Sequence, residues 1–349
     1  MAKRPVAVLG ATGAVGQRFI QLLDSHPAFE VVEVAASDRS AGKPFREACT
    51  WRLPGEIPKV VSDLVVANCD GPFRSKLLFS GLDSSVAGEI ETRLSKQGAA
   101  VVSNSRNHRM DADVPLLIPE VNPDHIEAVT LQRKRTGGGY IVTNPNCSVV
   151  GFAMALAPLH RAFGVETAAV VTLQALSGAG YPGVASMDIA DNVIPFIGGG
   201  EEDKIETEPK KILGAFTNGS FVPADFPITA SVHRVGVTDG HMMAIFIRLR
   251  RKASPEEAAR ALAEYRGEPQ ERRLPSAPVR PIHVLDGDNR PQPRLDRDRE
   301  GAMAVSIGRI RKDSVFDLKL EALVHNTIRG AAGAAILNAE LLEARGLLP

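Results

Sequence analysis

The chain has 349 residues, a length that suggests about two domains. Lys+Arg and Asp+Glu balance at 41 each, so overall charge gives no case for binding nucleic acid or a membrane surface. No apolar run reaches the roughly 18 residues of a membrane span, and the three widely spaced cysteines (Cys49, Cys69, Cys147) suggest neither a disulfide framework nor a zinc cluster. A soluble protein of a reducing cytoplasm is expected, with no bound metal.

The N-terminal half alternates strand-like and helical runs. Val6–Leu9 reads as a first strand and not as part of a signal peptide. A helix over Val15–Leu23 follows, then strands at Val31–Ala36, Leu77–Ser80 and Ala99–Ser103. Such alternation predicts a mostly parallel sheet covered by helices on both faces.

Between the first strand and first helix lies Gly10-Ala11-Thr12-Gly13-Ala14-Val15-Gly16. Glycines there permit a tight turn and let the backbone approach a pyrophosphate, which then rests on the helix N-terminus. The spacing is G-x-x-G-x-x-G, so a merely structural turn is the alternative; the strand–turn–helix setting favours the nucleotide. The second strand ends in Ser37-Asp38-Arg39-Ser40. Arg39 with Ser37 and Ser40 suits the 2′-phosphate of NADP, while Asp38 is the competing sign of NAD.

Thr143-Asn144-Pro145-Asn146-Cys147-Ser148 joins an extended run, Tyr140–Val142, to a helical one of about Ser148–Arg161. Cys147 is thereby set at a helix start, where free N–H groups and the helix dipole favour an anion, so a readily formed thiolate nucleophile is expected. Together with the nucleotide loop, this suggests a cysteine-dependent dehydrogenase working through a thioester.

After Cys147 the pattern changes. Strands are expected at Ala168–Gln174, Ile228–Val237, Met243–Arg250, Ala302–Ile310 and Asp317–Val324, forming a second α+β domain with a mostly antiparallel or mixed sheet. Arg266–Arg299, rich in Pro, Arg and Asp, reads as an extended excursion over a surface or a partner subunit. Residues 330–345 read as a closing helix whose small residues allow close packing.

Several residues are candidates to work with the thiol. His241 follows Gly240 at an expected turn between strands, though a lone histidine can equally be structural. Gln174 leads into the small-residue loop Ala175–Gly180, which can approach a ligand or be an ordinary turn. Glu201 and Lys204 open a helix after three glycines, where a solvated helix start is the plain alternative. Arg106 and Arg109 could bind an anion or lie on the surface.

Taken in order, these segments resemble the aspartate-β-semialdehyde dehydrogenases, in their archaeal and fungal branch. The resemblance runs through Gly10–Gly16, Ser103–Pro123, Asn144–Ser148, Gln174–Gly180, Glu201–Leu213, Arg234–His241, Arg290–Asp296 and Asn326–Gly333. It implies an N-terminal Rossmann-type domain over residues 1–146, completed by a C-terminal helix within 326–349. The catalytic and dimerisation domain, α+β with a mixed sheet, would span 147–325.

The resemblance also implies roles. Cys147 would be the nucleophile and His241 the acid/base. Gln174 would orient the acyl group, and Asn146 would support the nucleophile loop. Arg234 would bind the substrate carboxylate, Glu201 its amino group, and Lys204 with Arg109 the phosphate. NADP would be held by Gly10, Thr12, Gly13, Ala14, Val15, Gly16, Ser37, Arg39 and Ser40, with Ser177, Gly178 and Asn326 nearer the nicotinamide. The implied reaction reduces 4-aspartyl phosphate to aspartate semialdehyde and phosphate, for lysine, threonine and methionine synthesis, in a homodimer or homotetramer. Two positions depart from the family: Asp38 adds an acid beside the 2′-phosphate site, and Gly236 replaces a commonly bulkier residue. A malonyl-CoA or succinyl-CoA reductase on the same scaffold is the neighbouring alternative, and a silent nucleotide-binding regulator is the more distant one.

Overall fold

The computed structural model describes residues 2–349. Its first sheet contains β1 (Arg4–Leu9), β2 (Phe29–Ala36), β3 (Ala67–Asn68), β4 (Leu77–Ser80), β5 (Ala100–Ser103) and β6 (Tyr140–Thr143). All six strands are parallel, in the order β3-β2-β1-β4-β5-β6. Strands β4, β5 and β6 are buried along their whole length, which is why they read as continuous apolar runs. The order reverses between β1 and β4, and in such sheets that is where a crevice opens beyond the strand C-termini. Helices α1 (Ala14–Leu23), α2 (Ser84–Lys96) and α3 (Ala128–Thr136) belong to this half.

Helix α4 (Cys147–Phe163) leads out of β6 into the second half. Its apolar residues are buried nearly all round, against a second sheet on one side and other helices elsewhere. The second sheet uses β7 (Val165–Gln174), β8 (Ile194–Pro195), β11 (Ile228–Arg234), β12 (His241–Leu249), β13 (Ile282–Leu285), β14 (Val305–Lys312) and β15 (Leu318–Val324). The two intervening strands, β9 (Ala215–Thr217) and β10 (Ser220–Val222), form a separate hairpin. The sheet is mixed: β7/β11 and β13/β14 are parallel and the other pairs antiparallel. Along β12, Met243, Ile245, Ile247 and Leu249 are buried, while Met242, Ala244, Phe246 and Arg248 on the other face are only half-covered. A sheet with one packed and one half-open apolar face needs a further layer.

Several boundaries differ from expectation, among them β14, which runs Val305–Lys312 in place of Ala302–Ile310. Strand β11 stops at Arg234, three residues short of Val237. His241 is the first residue of β12, paired with Val324, and so is held in the ladder and not on a free turn. Arg266–Arg299 is not simply an extended excursion. It contains β13, which pairs with β14, and Glu268 is bonded to Arg345 at the chain's own C-terminal end.

Helix α5 (Glu201–Ile212) lies against β11 and α4, and α6 (Pro255–Ala263) packs on α4. The chain ends in a wide turn, Ile328–Ala332, and helix α7 (Gly333–Ala344). Leu337 and Leu341 of α7 join Val6 and Val8 of β1 in one apolar cluster. The wide turn presses on the nucleophile loop. A Cβ at Gly330 would lie 3.0 Å from both the Cβ and the carbonyl oxygen of Cys147, so a larger residue there would press on the nucleophile.

Candidate active site

Cys147 is the first residue of α4, and Asn146 caps it. The Asn146 Oδ1 accepts from the backbone N–H groups of Ser148 and Val149 at 2.9 and 3.4 Å. Such a cap satisfies helix-start donors and fixes the angle at which the chain enters the helix. The Cys147 Sγ lies 3.2 Å from the His241 Nε2. Residues 94 apart in sequence thus form the thiol–imidazole pair that nucleophilic catalysis requires.

The imidazole is oriented from behind. The Ala175 backbone N–H donates to His241 Nδ1 at 3.0 Å. A nitrogen that accepts an N–H carries no proton, so a neutral ring holds its proton on Nε2, facing the sulfur. Burial, with the Arg234 guanidinium and the His325 ring nearby, pushes the imidazole down to about 3, so neutral is its resting state. The expected thiolate is not the resting form of Cys147. Burial, reinforced by the Glu201 carboxylate, pushes the thiol up to about 12, against the pull of Arg109 and Arg234. The helix-start effect is smaller than the cost of placing a bare anion in this setting.

Glu201 is the hub of the polar contacts. Its Oε1 accepts from Asn146 Nδ2 at 2.8 Å and from Gln174 Nε2 at 3.1 Å, and its Oε2 accepts from Lys204 Nζ at 3.1 Å. Arg234 ends β11 beside Gln174, which ends β7, as their parallel register requires. Its Nη1 donates to the Ala175 carbonyl at 2.6 Å. Gly178 lies against both Arg234 and His241. A Cβ there would be 2.9 Å from Arg234 Nη1 and 2.9 Å from His241 Cε1.

A cavity of about 570 Å³ joins these groups. Cys147, Gln174, Gly178, Glu201, Lys204, Arg234, Arg109 and Asn146 all line it, with Arg106 at its side. Arg109 is buried, its Nη1 on Glu208 at 2.9 Å and its Nη2 on the Asn104 carbonyl at 2.8 Å. Arg106 is exposed and reaches across to the Gly199 carbonyl at 3.1 Å. One wall therefore carries cations suited to phosphate and a carboxylate; Glu201 can meet an ammonium group.

The nucleotide loop fits a pyrophosphate. Gly13 caps α1 and offers no side chain, so the first-turn N–H groups of Ala14 and Val15 are left without a side-chain cap. Gly10 has φ +69°, and a Cβ on Gly16 would lie 2.2 Å from the Gly10 carbonyl oxygen, so the turn admits only glycine there. Thr12 holds the loop through its carbonyl, which accepts from Gln17 Nε2 at 2.9 Å. Ser37 and Ser40 are joined in one turn by a 2.8 Å backbone bond, with Arg39 exposed between them. Asp38, the competing acid, accepts from Asn68 Nδ2 at 2.5 Å. At the other end, Asn326 Nδ2 donates to Ser177 Oγ at 2.8 Å, and its Oδ1 accepts from the Gly240 N–H at 2.9 Å. Ser177 and Ala14 share a mostly apolar cavity of about 490 Å³, joining the two halves of the expected cofactor set.

Sequence reasoning missed Glu208, whose second oxygen accepts from the Asn146 backbone N–H at 2.7 Å. It also missed Lys211, whose buried Nζ donates to the carbonyls of Arg109, Asp111 and Val114, each at 2.8 Å. A signal was available: Glu201, Lys204, Glu208 and Lys211 fall on one face of α5 at helical spacing.

Comparison with known proteins places the chain in a family. The semialdehyde dehydrogenase NAD-binding domain matches residues 5–129, and the semialdehyde dehydrogenase dimerisation domain matches 156–329. The aspartate-semialdehyde dehydrogenase of Methanothermobacter thermautotrophicus is 49% identical over 342 residues, covering 97% of this chain and 98% of that one. The enzyme of that name from Schizosaccharomyces pombe is 47% identical, with both chains fully covered. A crystal structure of aspartate semialdehyde dehydrogenase with NADP from Candida albicans superposes with a TM-score of 0.92 at 45% identity, covering 99% of this chain and 100% of that one. The chain belongs to the aspartate-semialdehyde dehydrogenase family, in its archaeal and fungal branch.

Proposed function

We propose that this protein is an NADP-dependent aspartate-semialdehyde dehydrogenase that reduces 4-aspartyl phosphate to aspartate semialdehyde and phosphate. The product would serve lysine, threonine and methionine synthesis. One observation carries the chemistry: Cys147 Sγ stands 3.2 Å from His241 Nε2 in a cavity lined by Arg234, Glu201, Lys204 and Arg109. The relatives' shared name supports the substrate.

Arg234 binds the substrate α-carboxylate through its planar guanidinium, and Glu201 meets the α-amino group. Lys204 and Arg109 hold the phosphate. Gln174 and Asn146, both bonded to Glu201, keep that carboxylate and the nucleophile loop in register. The Cys147 sulfur attacks the acyl carbon; a C–S bond forms and the C–O bond to phosphate breaks. The thiol proton departs with the phosphate, leaving a neutral thioester. When bound, NADPH supplies the hydride that reduces the thioester carbon. The thiohemiacetal collapses to aldehyde with cleavage of its C–S bond; the His241 Nε2–H hydrogen-bonds the departing sulfur, which takes up a proton from solvent to become the free thiol. At rest His241 is a hydrogen-bond donor to the sulfur; to act as base in the oxidative direction its ring carries the proton on Nδ1 instead, with the Ala175 bond given up. Splitting one acyl reduction into two steps lowers each barrier.

NADP is held at Gly10, Thr12, Gly13, Ala14, Val15 and Gly16, with Ser37, Arg39 and Ser40 at its 2′-phosphate and Ser177, Gly178 and Asn326 towards the nicotinamide. Residues 1–146 with 326–349 act as the cofactor unit, and 147–325 as the catalytic and dimerisation unit; the packing of α7 against β1 supports this division. The protein works as a homodimer or a dimer of dimers, through the half-covered face of the second sheet. It acts in the cytoplasm, where its three free cysteines stay reduced. No helix of the described residues is long and apolar enough to cross a membrane.

A malonyl-CoA reductase is not favoured, because its substrate has no amino group for Glu201. One assay tests the reading: NADP reduction with aspartate semialdehyde and phosphate, against NADPH oxidation with malonyl-CoA. Turnover of the first and not the second is expected. The reverse would overturn the substrate assignment.

A further inference from the structure

We propose that Glu208 is a positioning residue that couples the phosphate subsite to the nucleophile loop. It lies about two helical turns after Glu201 on α5 and is 2% exposed. Each of its carboxylate oxygens has one partner. Oε1 accepts from Arg109 Nη1 at 2.9 Å, and Oε2 accepts from the Asn146 backbone N–H at 2.7 Å. One partner lines the anion wall of the cavity; the other immediately precedes the nucleophile.

The Asn146 peptide is gripped twice from the same helix. Glu208 holds its backbone N–H, and Glu201 holds its side chain at 2.8 Å. The cap that starts α4 thereby takes its position from α5, and with it the Cys147 sulfur. A neutral acceptor could satisfy the Asn146 N–H equally well. A buried carboxylate is needed because the same group must also face the Arg109 guanidinium, whose removal from water without a counter-charge is costly. Arg109 lines the cavity, and its buried Nε has no protein partner. An anion that draws Arg109 towards it loads the Glu208 bond, and through Asn146 that load reaches the nucleophile. This inference rests on Arg109 as a phosphate ligand.

The test compares Glu208→Gln, Glu208→Asp, Arg109→Ala and the double variant Arg109→Ala/Glu208→Gln in the oxidative assay. Phosphate, aspartate semialdehyde and NADP are titrated separately, with thermal melting as the fold control. Glu208→Gln should lower kcat by about 10- to 100-fold, because displacement of a reacting group by about 1 Å costs that much. It should raise the KM for phosphate while leaving those for aspartate semialdehyde and NADP within about twofold. Glu208→Asp keeps the charge on a shorter arm and should recover part of the phosphate KM but not of kcat. The double variant should lose less than the product of the single losses, as coupled groups do. A folded Glu208→Gln with kcat and phosphate KM within about twofold of wild type overturns the proposal. So does failure of both Glu208 variants to fold, which would assign the residue to the scaffold. If Arg109→Ala leaves the phosphate KM unchanged, the phosphate assignment itself fails and the coupling falls with it. If Arg109→Ala raises that KM while Glu208→Gln is silent, only the coupling fails.

Discussion

The Ala175 backbone N–H donates to His241 Nδ1 at 3.0 Å, and this bond decides what the imidazole can do. It fixes the proton of the neutral ring on Nε2, which points at the Cys147 sulfur. The resting pair is a neutral thiol beside a neutral imidazole, not a thiolate–imidazolium pair. A pH consequence follows. The thiol titrates near 12, so the free enzyme holds little thiolate at neutrality and more as pH rises. Alkylation of Cys147 by iodoacetamide should quicken by about tenfold per pH unit between pH 7 and 10, because only the thiolate reacts. A plateau beginning near pH 6–7 would show that the ion pair forms at rest.

His241→Ala should lower kcat by about 10²–10⁴-fold, the usual loss of a general acid/base. His241→Gln can offer an amide N–H to the sulfur but no titrating proton, so binding should survive better than turnover. Steady-state kinetics with both variants checks this; an unaltered kcat in either moves the acid/base role elsewhere.

Arg39→Ala should raise the KM for NADP and leave that for NAD nearly as it was. The Asp38 carboxylate is occupied by Asn68 Nδ2 at 2.5 Å. Asn68→Ala should release it beside the 2′-phosphate and weaken the preference for NADP. Parallel cofactor titrations of wild type and both variants measure the ratio. Equal KM values for the two cofactors in the wild type would contradict the assignment.

Arg234→Lys keeps the charge and loses the planar fork, so kcat/KM for aspartate semialdehyde should fall clearly while the phosphate KM changes little. Gly178→Ala should be comparably damaging. Its new methyl would stand 2.9 Å from Arg234 Nη1 and His241 Cε1, and both must move. An active Gly178→Ala enzyme would mean that the loop is more yielding than its contacts imply.

Sedimentation at micromolar concentration should find no stable 37.3 kDa species, since the open face of β12 and its neighbours needs a partner. A monomer would leave Met242 and Ala244 half-covered at the open face.

Much of this architecture is legible in the chain itself. Runs such as Leu77–Ser80 and Tyr140–Thr143 are short, apolar and bounded by breaks in pattern, and they became fully buried parallel strands. The nucleophile loop is equally plain, because its strand, cap and helix are adjacent in sequence. What escaped depends on distant contacts. Glu208 looks like any helix carboxylate until Asn146 is seen 62 residues away, and the protonated nitrogen of His241 is set by a peptide 66 residues earlier. Strand β13 escaped because four residues within a Pro- and Arg-rich stretch carry little pattern. The thiolate expectation failed for a different reason. Helix position is local and readable, whereas burial and the Glu201 charge, which outweigh it, are tertiary.

The thioester is the central claim, and a single-turnover experiment tests it most directly. Enzyme is mixed with NADP and aspartate semialdehyde in the absence of phosphate, quenched with acid, digested and examined by mass spectrometry. The account predicts about one equivalent of NADPH per active site, in a burst that marks the accumulated acyl-enzyme. It also predicts an aspartyl group on the peptide containing Cys147, absent from those with Cys49 and Cys69 and lost on adding phosphate. A Cys147→Ala enzyme that still binds NADP should show neither burst nor adduct. A burst retained by Cys147→Ala, or an adduct on another residue, would contradict the account.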